Sequence, residues 1–160
     1  TGHSFYYVFK MEEISGSNQQ APYQVINDVG GDEDRFWGTY YESTNRFRTH
    51  TDSMEANFTP YTTFTSEYPY NLLAGRVYTD GASSVVDVTL NDTAPSSTST
   101  GTYDLADFDK IGVGGRGDVI NNDEMNGNWG EFIFYNRKLT DAEETQVVDY
   151  LKNKWNYTNW

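Results

Sequence analysis

The stretch NGNWGEFIFYNRKLTDAEETQVVDYLKNKWNYTNW, Asn126 to Trp160, decides how the chain is read. Glu131 to Tyr135 is a short apolar run rich in aromatics, bounded by Gly130 and by Asn136-Arg137, so it reads as a strand buried on both faces. The period then changes. Thr140, followed three residues later by Glu143, forms a capping box: the hydroxyl takes an orphan backbone donor of the first turn and the carboxylate reaches back to the cap. A helix is therefore expected from Asp141. Val147, Val148, Leu151 and Trp155 recur at three- and four-residue spacing as its apolar face. Asp141, Glu143 and Glu144 sit near the positive end of its dipole and Lys152 and Lys154 near the negative end.

Upstream the periodicity is that of strands. Ser4 to Lys10 is a nearly continuous apolar run that reads as a core strand, and Tyr23 to Asn27 as a second, joined by a polar loop from Met11 to Pro22. Phe36 to Tyr41 and Arg46 to His50 flank Glu42-Ser43-Thr44-Asn45, a hairpin signal that makes these two strands antiparallel neighbours. Asp52 to Tyr70 shows no clean period, with room for a strand at Thr62 to Thr65. Leu72 to Thr79 and Ser84 to Leu90 flank Asp80-Gly81, the strongest hairpin turn in the chain. Along the second of these strands Val86, Val88 and Leu90 face one way and Asp87 and Thr89 the other. Asn91 to Gly101, NDTAPSSTSTG, is too polar to pack and reads as an exposed loop. A short strand within FDKIGVGG precedes a long loop from Arg116 to Asn128. Roughly ten short strands and one terminal helix predict an all-β, two-sheet antiparallel jelly-roll sandwich.

Gly127, Glu131, the FIFYN run, Leu139, the acidic helix start DAEE and the closing YLKNKW resemble the end of a concanavalin A-like, laminin G-like jelly-roll domain. The chain departs from that pattern at Trp129, where such domains usually carry a small or β-branched residue. The resemblance implies a fold. Because that fold houses lectins, glycanases, adhesion modules and virion proteins, it leaves activity open.

The 160 residues suit one domain spanning 1–160, and a beginning inside a strand suggests the C-terminal part of a longer chain. Hydrophobic residues make up 36% of the chain, but 16% of it is aromatic, so the interior is expected to be built from Tyr, Phe and Trp on strands. Eleven basic against 24 acidic residues leave a formal charge of −13, which repels phosphate backbones and anionic bilayers, so nucleic acid is not expected as a partner, and since no apolar run approaches the roughly 20 residues a span needs, neither is membrane insertion. There is no cysteine, which excludes disulfides, thiolate metal sites and a cysteine nucleophile.

Three groups of residues could carry function. Asp118, Asn121, Asn122, Asp123 and Glu124 crowd one Gly-rich loop, and closely spaced carboxylates and amides suit calcium, although a solvated loop explains them as well. Trp37, Tyr40, Tyr41 and Trp129 could offer flat faces to sugar C–H surfaces, beside Asn45, Asn121 and Asp123 for hydroxyls; most aromatics of a β-rich chain nevertheless belong to core or sheet surface. Arg116-Gly117-Asp118 resembles an integrin-binding tripeptide, and Asn57, Asn91 and Asn156 begin N-glycosylation sequons. Catalysis has little support. The glycanases that this fold resembles carry E-x-D-x-x-E, which sets two carboxylates about 5 Å apart, and that motif is absent. His3 and His50 have no metal-ligand spacing.

The reading is thus a non-catalytic binding or structural module of an exposed assembly, such as a phage tail fibre, a capsid decoration or a surface adhesin. Its partners would be protein chains of that assembly and a cell-surface glycan, its location extracellular or on a virion, and calcium its one candidate cofactor. The alternative is a glycoside hydrolase or lyase using Glu124 and Glu131.

Overall fold

Strict alternation along the first strand sorts the interior into two layers. Strand β1 (Gly2–Met11) sends Phe5, Tyr7 and Phe9 to one face and Tyr6 and Val8 to the other, and all five are fully buried. The chain is a computed structural model that describes residues 2–11, 19–27, 34–41, 46–51, 55–58, 70–91, 96–100, 110–114, 125 and 127–156; side chains are described for 2–10, 23, 70–91, 111–114, 125 and 127–156. The further strands are β2 (Gln19–Asn27), β3 (Asp34–Tyr41), β4 (Arg46–Thr51), β5 (Glu55–Phe58), β6 (Asn71–Asp80), β7 (Ser83–Leu90), β8 (Ser96–Thr100), β9 (Lys110–Val113) and β10 (Gly127–Tyr135), followed by helix α1 (Asp141–Lys154). They form two antiparallel five-stranded sheets, ordered β10-β1-β6-β7-β8 and β5-β4-β3-β2-β9. This is the expected two-sheet sandwich closed by one helix.

Between the sheets lie Phe5, Tyr7, Phe9, Leu73, Val77, Val86, Val88 and Leu90 of the first and Tyr23 of the second. Tyr23 is fully buried, its ring 5.2 Å from that of Phe5, 6.1 Å from that of Tyr7 and 6.2 Å from that of Phe132. On the outer face of the first sheet, Tyr6, Val8, Leu72 and Ala74 meet Leu139 and Leu151, with Val147, Val148 and Trp155 partly buried around them. Helix α1 lies there because its apolar face matches that row.

The helix begins as its capping box requires: Glu143 N donates to Thr140 Oγ1 at 3.3 Å and Thr140 N donates to Glu143 Oε2 at 2.9 Å. Its two ends are then tied to the sheet. Arg76 of β6 meets Asp141 at 2.6 Å and Glu144 at 3.1 Å, with Asp87 of β7 at 3.7 Å on its other side. At the far end Glu131 of β10 accepts from Tyr150 at 3.1 Å, Lys154 at 3.0 Å and Trp155 Nε1 at 3.2 Å. The Trp155 ring lies so close over Gly130 that a Cβ there would come within 2.6 Å of it.

Five expectations need correction. Glu131 to Tyr135 belongs to a longer strand at the edge of its sheet and is half-buried on both faces where full burial was expected; the fully buried strand is β1, which lies between β10 and β6. Ser96 to Thr100, read as part of a loop, is edge strand β8 paired to β7: an edge strand needs one ladder of backbone bonds, and the β-branched Thr98 and Thr100 suit it. β2 starts at Gln19, inside the segment read as loop, and β5 at Glu55 falls where no period was found. In the β6–β7 hairpin Asp80 pairs with Ser83, so the turn residues are Gly81 and Ala82; Gly81 alone takes a positive φ, of 62°, as a type II′ turn requires. The possible strand at Thr62 to Thr65 lies outside the described residues.

Candidate functional site

The two sheets present different outer faces. That of the first is occupied by α1. On the second, register sorts the positions into two sets: Tyr23 packs against the first sheet, and its neighbours across the strands are Val113, Gly38, Thr49 and Ala56 in one row, although Val113 and Ile111, at the β9 edge, are exposed. Positions of the opposite parity face away.

Three rows of that face are rich in polar and aromatic residues. In the first, Gln24, Trp37, His50 and Glu55 stand side by side across β2, β3, β4 and β5. In the second, Thr39 pairs with Arg48 and Arg48 with Asn57; in the third, Gln19 pairs with Tyr41 and Tyr41 with Arg46. One row beyond Trp37, Arg35 pairs with Ile26 and Ile26 with Lys110. Among the described residues, Arg35, Arg46, Arg48, Lys110 and His50 therefore hold positions of this parity together with one carboxylate, Glu55, in a chain whose net charge is −13. β4 supplies three of these positions because Arg46, Arg48 and His50 alternate along it with Phe47 and Thr49, and Thr49 shares the row of Tyr23.

The aromatics singled out from sequence divide among three places. Trp37 and Tyr41 stand on this outer face, while Tyr40 has the parity of Tyr23 and belongs to the inward row. Trp129 is on β10, opposite Phe9 in the other sheet, with 60% of its surface exposed. Asp118, Asn121, Asn122, Asp123 and Glu124 lie outside the described residues, as do Asn45 and the Arg116-Gly117-Asp118 tripeptide; among the described residues no three acidic or histidine side chains are grouped to hold a metal. Sequence reading missed Arg46, Arg48 and His50. The signal was present, since a strand of alternating basic and inward-type residues beside one reading W-G-T-Y-Y puts bases and aromatics on one surface.

Glu131, the carboxylate suspected of catalysis, is engaged in fastening the helix. Burial raises its affinity for a proton, but the bonds from Lys154, Trp155 and Tyr150 outweigh burial and hold the carboxyl below the usual range. A carboxylate ionised and bound by three donors is poorly suited to donate a proton as a general acid. The cations on this side of the molecule are also spoken for: Arg137 forms a two-pronged pair with Glu143 at 2.7 and 3.0 Å, and Lys138 Nζ sits 3.2 Å over the Tyr78 ring. Two grooves lie beside them, one lined by Tyr78, Asp80, Asn136, Arg137 and Lys138 and the other by Tyr135, Tyr150, Arg137, Glu143 and Gln146.

No family model and no curated protein sequence matches the chain. Solved structures do. A leech intramolecular trans-sialidase matches with TM-score 0.58 and 15% identity over 91% of this chain, which spans 23% of that enzyme. The CBM40 module of a Ruminococcus gnavus IT-sialidase, bound to α2,6-sialyllactose, matches with TM-score 0.56 and 14% identity over 91% of this chain and 82% of its own. The LG4-5 domains of mouse laminin α1 match with TM-score 0.53 and 12% identity over 88% and 37%. The fold is the concanavalin A-like jelly roll. At such identities the likeness is one of fold, and the concanavalin A-like frame leaves the site to be argued from this chain's own residues.

Proposed function

We propose that this concanavalin A-like domain is a non-catalytic glycan-binding module and that its ligand carries negative charge. The observation that carries the reading is the β3–β4 register, which sets Arg46, Arg48 and His50 beside Tyr41, Thr39 and Trp37 on an outward face. Aromatic rings offer apolar faces to sugar C–H surfaces, and guanidinium groups form paired bonds with carboxylates or sulfates. A chain of charge −13 repels an anion at long range, so a locally basic face is needed to hold one. The Ruminococcus gnavus module is bound to α2,6- and α2,3-sialyllactose, acidic glycans, and this supports the reading through the shared fold. The role of Glu131 as a helix anchor speaks against the hydrolase alternative. For its setting we propose the exposed surface of a larger assembly, outside the cell or on a virion; no helix among the described residues is long and apolar enough to cross a membrane.

Calorimetry with matched acidic and neutral glycans, sialyllactose against lactose and oligogalacturonate against neutral oligosaccharides, tests the ligand. Tighter binding of the acidic member is expected, with a loss of about tenfold or more in Trp37→Ala and Arg48→Gln at unchanged melting temperature. Equal affinity for acidic and neutral members refutes the proposal.

A further inference from the structure

Exposed apolar surface gathers on one side of the sandwich. Among the described residues the large hydrophobic side chains left exposed are Ile111 and Val113 of β9, Trp129 of β10 and Tyr150 of α1, at 46, 37, 60 and 47%. β5 lies against β7 and β8, which leaves β9 and β10 together at the opposite side, where Met125 N donates to Gly114 O at 3.0 Å. Ile111 and Val113 share the parity of Tyr23 and yet stay exposed, so the first sheet ends short of them. β10 shows the same opening from its own sheet. Phe132 and Phe134 pack on the core between the sheets and Ile133 and Tyr135 on the layer under α1, and all four remain partly exposed beside the fully buried Phe5, Tyr6 and Tyr7 of β1. A β-bulge, at which Gly130 has no partner in the ladder, turns Trp129 to the side of Phe9 and so to the opening. On the other side of β10 a groove of about 380 Å³ runs between Ile133 and Tyr135 and the helix residues Val147 and Tyr150.

We propose that the β10 edge takes a sixth strand from another protein, an extended segment that pairs with Glu131 to Tyr135. Its side chains would alternate between the opening at Ile111, Val113 and Trp129 and the groove beside Tyr150. Edge strands are ordinarily guarded by Lys, Pro or an unpaired charge. β10 has no Lys or Pro, its ladder with β1 is regular from Glu131 to Tyr135, and its one charge, Glu131, is held by Tyr150, Lys154 and Trp155. The other edge of the sheet, β8, is wholly polar, Ser-Ser-Thr-Ser-Thr. A strand edge pairs with an extended backbone, and the alternation of such a strand accounts for apolar surface on both sides of β10. Charge then selects among extended chains. The protein carries −13, and α1 beside the groove holds Asp141, Glu143, Glu144 and Asp149 against Lys152 and Lys154, so a segment bearing lysine or arginine is attracted and a second copy of this chain is repelled. The proposal does not depend on the glycan-binding reading.

The test uses the intact protein and three end-blocked decapeptides: one alternating valine and lysine, one with the same residues as a block of each, and one alternating valine and glutamate. The alternating valine-lysine peptide is expected to bind at least about tenfold more tightly than either of the others in calorimetry. It should also slow hydrogen exchange about tenfold or more at those amides of Glu131 to Tyr135 that exchange rapidly in the free protein. Ile111→Asp and Tyr150→Asp, on the two sides of the edge, should each weaken it about fivefold or more at unchanged melting temperature. Because the added negative charge would strengthen a purely electrostatic attraction to lysine, such a loss reports the apolar contacts. Equal binding of the alternating and block peptides, no binding of either, or unchanged exchange at Glu131 to Tyr135 in the complex overturns the proposal, and the exchange result decides even if an Asp variant is unstable. A protein that is dimeric by light scattering without peptide, with those amides already protected, overturns it too, since a second copy then fills the edge.

Discussion

Replacing Trp155 by Ala, alone and together with Gly130→Ala, probes how the helix closes the first sheet. Trp155 packs its ring on Gly130, lies 4.9 Å from the Tyr70 ring and donates Nε1 to Glu131. A fully buried Trp→Ala change costs about 3–5 kcal/mol. Trp155 is partly buried and Glu131 keeps Lys154 and Tyr150, so about 2–4 kcal/mol is expected here. Against a total of about 5–15 kcal/mol that is a large share. At about 2–4 °C per kcal/mol, the melting temperature should fall by about 4–16 °C. Gly130→Ala in the intact protein drives a methyl to within 2.6 Å of the ring and should cost about 1–3 kcal/mol by overpacking. With the ring gone the methyl has room. The double mutant should therefore be more stable than the sum of the single effects implies, by about 1 kcal/mol or more. Urea unfolding of the four proteins measures this. Additive costs, or a Trp155→Ala effect below about 0.5 kcal/mol, would refute the docking of α1 through that ring.

Acid should loosen the helix start. The Arg137 guanidinium, with Thr140, holds the Glu143 carboxyl down at about 2; since a depressed pKa stabilises the fold above the ordinary glutamate range and the benefit is lost as pH falls towards about 2, stability should decline over that window and decline less in Glu143→Gln. Asp141, held low by Arg76, works in the same direction, whereas Glu144, raised by burial despite Arg76, opposes it. Arg76→Leu should cost about 2 kcal/mol or more in urea unfolding, because it leaves Asp87 and Glu144, both largely covered, facing each other without their cation; a neutral result would show that the cluster does not hold the helix. Gly75→Ala should cost at least about 1–3 kcal/mol, since the new methyl would fall within the Phe5 ring in the core, and an unchanged melting temperature would contradict the packing of β1 on β6.

Local chemistry alone determined much of this protein. The capping box, the helix charges, the β3–β4 hairpin and the alternation of β7 are set by neighbours a few residues apart, and each stands in the structure where the residues placed it. That β10 would be only half-buried was decided by tertiary structure. β1 and β10 carry similar apolar runs, and they differ because β1 lies between β10 and β6 while β10 has a free edge. β8 was invisible for a related reason: a polar segment becomes a strand when a neighbour's backbone offers it a ladder, and no side-chain pattern announces that. The candidate site follows the same division. Trp37 and Tyr41 could be singled out from their residue type, but joining them to Arg46, Arg48 and His50, and parting them from Tyr40, took the cross-strand register and the inward direction of Tyr23. Parity on a strand is local, whereas the face it meets is a property of the whole sandwich.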